Sequence, residues 1–227
     1  MFGPDPIDLY DPSPYGPLAY YGHLVIGSVA LIAALVALYS RKGGARHKLA
    51  GYVFLATVAV VSLTSVAMLA RAFIPPLFMA VFTAVYALGG AWLALQKGSH
   101  AVRAAEIGLT LFEIAGLAIF LSIALPAAAE GAIPPFAPWV IAAIPLILLA
   151  GDANWFLRPE LRRQRRIARH INRTVWGFVV VIRAPMVELA AAGLPISQPF
   201  TIFGPIALAL VMLVYFRRRY VRPVSRT

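Results

Sequence analysis

Apolar residues run through this chain in stretches of about twenty, the length at which a helix crosses a hydrocarbon core, and polar residues are gathered between them. The pattern predicts seven helices: Leu18 to Ser40, Leu49 to Arg71, a third from Pro75-Pro76 to Leu95, Ala104 to Leu125, Trp139 to Leu157, Thr174 to Leu194 and Phe200 to Phe216. Charge, or Pro and Gly, bounds each one. The chain is expected to be all-α, a seven-transmembrane-helix bundle over residues 18–216. A Pro/Asp-rich segment, 1–17, precedes it and a basic tail, 217–227, follows.

The longest polar run, Arg158 to Arg173, carries seven arginines in sixteen residues. Each would cost roughly 2.5–3.5 kcal/mol at the centre of a spanning helix, so the run stays on the cytoplasmic side. Alternation then puts the N-terminus outside and the C-terminus in the cytoplasm. By that layout the first connection contributes four Lys and Arg to the inside, the third two, the fifth seven and the tail five, which is 18 of the 20. Only Arg71 and Arg183 are left over. Positive charge inside is the rule that orients such chains, and it points to the inner membrane of a prokaryotic cell.

Composition agrees: 61% of the 227 residues are hydrophobic, 13% are charged, and mean hydropathy is +0.80. A net charge of +11 would suggest nucleic acid in a soluble protein. Here the basic residues lie between apolar spans, so the expected partners are the bilayer's anionic inner-leaflet lipids, and possible further membrane subunits, with no nucleic acid. The chain has no cysteine, which excludes disulfides, thiolate metal sites and cysteine nucleophiles. The first residues lack the basic start and apolar core of a signal peptide. The last predicted helix has no lysine, so covalent retinal is excluded.

Chemistry could reside in the polar residues near or inside the spans. His47, His100 and His170 each lie just before an even-numbered helix, at one depth, where three imidazoles could converge on a divalent metal or supply axial ligands to a haem b. They could equally be solvated side chains at the membrane surface. His23 lies inside the first helix and needs a partner. Arg103, Glu106, Thr110 and Glu113 share one face of the fourth helix, with Glu113 near mid-membrane. Arg183 in the sixth helix is at a similar depth, which predicts a Glu113–Arg183 ion pair. Glu188 lies farther out, beyond Pro185. Asp152, near the inner end of the fifth helix, could orient a histidine ring or pair with Arg158.

Tyr21-Gly22-His23-Leu24 through Ala37-Leu38, then Arg46-His47-Lys48-Leu49-Ala50-Gly51, resembles a bacterial family of predicted membrane proteins known as domain of unknown function 2306. His170-Ile171-Asn172-Arg173 is similar to that family's late histidine–arginine motif, without the usual Trp-Met after it. The resemblance covers about the first seventy residues and, more weakly, Arg169 to Arg183, and it implies a grouping but no activity. Three functional readings follow from the residues: a haem- or metal-binding electron-transfer or accessory subunit using His47, His100 and His170; a proton-coupled carrier using His23, Glu113, Arg183 and Glu188; and a zinc-dependent lipid hydrolase with Asp152 assisting three histidines.

Overall fold

Proline opens every odd-numbered helix. Pro stands in the first turn of α1 (Pro17–Tyr39), α3 (Pro75–Leu93), α5 (Ala137–Leu157) and α7 (Gln198–Tyr220), where its missing N–H would have had no helical partner and its fixed φ suits the helix. The even-numbered helices α2 (Ala45–Leu69), α4 (His100–Ala129) and α6 (Arg162–Ala191) start among basic residues. Ser99 caps α4 by accepting from the Val102 N–H at 3.2 Å. The structure, a computed structural model, describes residues 13–191 and 193–221, with the side chains of Glu188, Ala191 and Gln198 outside the described set. Residues 1–12 of the expected N-terminal segment, and the tail beyond 221, lie outside it too.

Among the described residues the fold is all-helical, and six of the seven α-helices, α1 to α5 and α7, are long and apolar enough to cross a membrane. Large apolar side chains face outward as well as inward: Leu63 is 70% exposed and Val211 68%. Such a surface is unfavourable in water and natural against lipid tails. The chain is a multi-pass membrane protein.

α6 departs from expectation. Its helix begins at Arg162, not near Thr174, so most of the arginine run is helical. Arginine, glutamine and alanine are good helix formers, and a high charge density fixes a side of the membrane without breaking a helix. The basic residues expected at the start of the tail are likewise helical: Arg217, Arg218 and Arg219 form the last turn of α7.

α3 is the hub, packed against α2, α4, α5 and α6, while α1 pairs with α2 and α6 with α7. Tyr86 and Ala87 at its middle are fully buried. Small residues permit these approaches: a Cβ on Gly177 of α6 would press on Leu88 at 2.6 Å, and one on Gly116 of α4 would overlap the Phe82 ring. The connections α1–α2, α3–α4 and α5–α6 and the C-terminal end of α7 gather at one end of the bundle, hereafter the basic end. Side chains cross between them there, including Lys42 over the ring of Phe216 at 5.0 Å.

Candidate functional site

The α4 stripe expected from helical spacing is present and turned inward. Glu106 is 3% and Glu113 0% exposed, Thr110 between them is half-buried, and Arg103 at the helix start stays exposed. Glu106 accepts from the Trp155 indole N–H at 3.0 Å and from Arg162 at 3.4 Å, so α5 and the start of α6 both tie to it.

Asp152 is the centre of the cluster. It is 1% exposed. Its Oδ2 accepts from the Tyr86 hydroxyl at 2.7 Å and the Thr110 hydroxyl at 2.8 Å. Its Oδ1 accepts from Arg169 at 2.5 Å and from Arg173. Arginines four apart share a helix face, which is why one carboxylate can take both. Arg173 also donates to the Tyr86 carbonyl at 3.0 Å and lies over that ring, while Arg169 lies 4.5 Å from the Trp155 ring. Neither expected role of Asp152, orienting a histidine or pairing with Arg158, is realised. Because the arginine run is helical, residues 169 and 173, and not 158, are carried to the inner side of α5.

The expected Glu113–Arg183 ion pair does not form. Glu113 accepts from the Thr83 hydroxyl at 2.8 Å, and its other oxygen is buried without a partner. Arg183 makes no ion pair among the described residues, and its Nε is buried and unbonded. Depth on two helices does not make them neighbours: apart from the Arg162–Glu106 pair at the basic end, α4 packs on α3 and α5, and it is α3 that packs on both α4 and α6. The Glu188 side chain lies outside the described set.

The histidines separate into three kinds. His23 has the partners its depth demands, with Nδ1 at 3.1 Å from the Thr64 hydroxyl and 3.3 Å from that of Ser65. His100 is exposed at the start of α4. His47 and His170 share one geometry: Nδ1 of His47 lies 3.0 Å from the Ala37 carbonyl and Nδ1 of His170 3.0 Å from the Ala91 carbonyl. A carbonyl only accepts, so each Nδ1 carries a proton, and in the neutral ring Nε2 is then the nitrogen left with a lone pair. Neither Nε2 has a hydrogen bond among the described residues. No group of three or more His, Asp or Glu that could hold a metal occurs among the described residues, so the expected three-histidine convergence is not seen there; His47 and His170 are alike in their tethering to carbonyls.

Thr83, Tyr86, Trp155, Arg169 and Arg173 complete the site; sequence reasoning marks Arg169 and Arg173 only as part of the arginine run and the late histidine–arginine motif, and does not find the other three. The one local signal is Thr83 and Tyr86, polar groups three apart in an apolar helix. No protein-family model, curated protein or solved structure matches the chain.

Proposed function

We propose that this multi-pass protein holds a b-type haem between His47 and His170 and serves in electron transfer, alone or as an accessory subunit. The observation that carries the reading is the matched tethering of the two rings. Metal-ligating histidines characteristically donate their second ring N–H to a carbonyl or carboxylate, which fixes the tautomer and aims the free nitrogen. Two histidines would be enough to hold an electron-transfer haem, whereas a structural divalent ion wants about four protein ligands. Two histidines therefore suit a haem better than a bare ion. The resemblance to domain of unknown function 2306 rests partly on the segments holding these same two residues.

The topology in this reading has seven spans with the N-terminus outside, in a prokaryotic inner membrane, and α6 as the remaining span. Support comes from the apolar face of α6, where Val175, Trp176, Phe178 and Val179 are buried against the bundle, and from the 18 Lys and Arg that alternation places inside. A periplasm-dependent reporter fused after Thr227 should be inactive; activity would reverse the orientation.

Protein purified from haem-replete cells should show a Soret band that is lost in His47→Ala and in His170→Ala and kept in His100→Ala. Absence of both a Soret band and a stoichiometric metal would remove the reading. A stoichiometric divalent metal without a Soret band would keep the pair and replace the haem.

A further inference from the structure

Glu113 has no part in the reading of His47 and His170, yet it is the most completely buried carboxyl among the described residues, 0% exposed. Thr83 donates to Oε1 at 2.8 Å, and Oε2 is buried without a hydrogen bond. An ionised carboxylate offers about four lone-pair positions. Holding it in a low-dielectric interior with one neutral donor and no cation of its own is costly, and such a group takes a proton instead. Arg173 is committed to Asp152 and to the Tyr86 carbonyl and makes no ion pair with Glu113.

What surrounds Glu113 is asymmetric along the helix. Toward the basic end lies Thr110, one turn away on α4, whose hydroxyl bonds to Asp152. Asp152 is bonded to Arg169, which lies over the Trp155 ring; Trp155 donates to Glu106; and Glu106 is paired with Arg162, whose side chain reaches 21% exposure. Away from the basic end, the buried residues of α4 are Gly116, Leu117, Phe120 and Ala124. The polar groups thus lead in from one side and stop at Glu113. Phe82 and Phe112, next in sequence to Thr83 and Glu113, stack at 4.1 Å and hold α3 and α4 in the register that brings the hydroxyl to the carboxyl.

We propose that Glu113 is a proton-binding site loaded from the basic end of the bundle through the Glu106–Asp152 polar column. The step is a protonation alone: an O–H bond forms at Oε2, the carboxylate becomes the neutral acid, and the proton comes from water at the basic end. The charged and titratable groups toward it are Tyr86 on α3, Asp152 on α5 and Arg173 on α6, together with Glu106 on its own helix. Among the described residues, only Thr83 bonds to it directly.

Infrared spectroscopy of the full chain in lipid, in water and in deuterium oxide, tests this. The wild type should show a C=O stretch of a buried protonated carboxyl that moves on deuteration, disappears in Glu113→Gln and persists in Glu130→Gln, whose carboxyl is exposed, while Glu106→Gln, which interrupts the column, should slow the exchange with deuterium. Thr83→Val removes the hydrogen bond to the carbonyl oxygen and should raise the band's frequency, a readout that survives even if Glu113→Gln fails to fold. The proposal is overturned by the absence of such a band from mildly acidic to mildly alkaline pH. A band untouched by both substitutions, or one that never exchanges with deuterium, overturns it as well. None of these results depends on whether haem is bound at His47 and His170.

Discussion

Arg173 lies over the ring of Tyr86, 4.2 Å from its centroid, donates to that residue's backbone carbonyl, and shares Asp152 with its hydroxyl. One guanidinium therefore reads three features of a single α3–α5 contact. Lysine has a point charge and cannot reproduce a planar fork stacked on an aromatic ring, so Arg173→Lys is expected to destabilise the protein almost as much as Arg173→Gln. Breaking a buried pair costs about 3–5 kcal/mol. Thermal unfolding in detergent checks both, and a Lys variant as stable as wild type would show that charge alone suffices.

Removing Asp152 should be worse than removing either arginine. Asp152→Ala takes the shared carboxylate from two guanidiniums and two hydroxyls, leaving Thr110 only the Glu106 carbonyl and Arg173 only the Tyr86 carbonyl, whereas the loss of one arginine leaves Asp152 with three donors. The double variant Asp152→Asn/Arg173→Gln should be clearly more stable than the sum of the single losses, with a coupling of about 0.5–3 kcal/mol. Additive losses in a double-mutant cycle would contradict the shared network.

Glu113 and Arg183 should not be coupled. With α3 packed on both of their helices, the stability effects of Glu113→Gln and Arg183→Gln are expected to add to within about 0.3–0.5 kcal/mol. A larger interaction energy in the same cycle would restore the ion pair that depth alone suggests.

Glycine positions separate packing from propensity. A Cβ on Gly90 would overlap the Arg173 guanidinium, so Gly90→Ala should cost about 1–3 kcal/mol through displacement of the ion pair. A Cβ on Gly108 of α4 would meet nothing within 4 Å, and Gly108→Ala should be neutral or stabilising by up to about 1 kcal/mol. Comparing the two melting temperatures decides whether close approach at residue 90 is what matters.

Helical spacing makes the α4 stripe legible, because residues three and four apart must share a face whatever they meet. The positions of α1 to α5 and α7 are legible for a similar reason, since lipid imposes length and apolarity on each helix independently. What each face meets is set by helix order in space, which no single period encodes. That is why depth points Glu113 to Arg183 while the fold gives it Thr83, and why nearness in sequence points Asp152 to Arg158 while the fold gives it Arg169 and Arg173. The need of His23 for a partner is legible from its depth, but Thr64 and Ser65 are on another helix and carry no mark in the pattern. The arginine run looks like a loop only if charge is taken to interrupt structure, when it merely excludes that stretch from the hydrocarbon.

The carbonyls that tether His47 and His170 are those a helix abandons when it stops. α1 ends at Tyr39 and α3 at Leu93, and the Leu95 N–H turns back to the Trp92 carbonyl, so that of Ala91 is left to the imidazole. Helix length is thus the hidden control on ring orientation. An α3 extended by one more turn would claim the Ala91 carbonyl for its own backbone, and His170 would be free to rotate about its side-chain bonds. The place where one helix ends decides which way the nitrogen on another points.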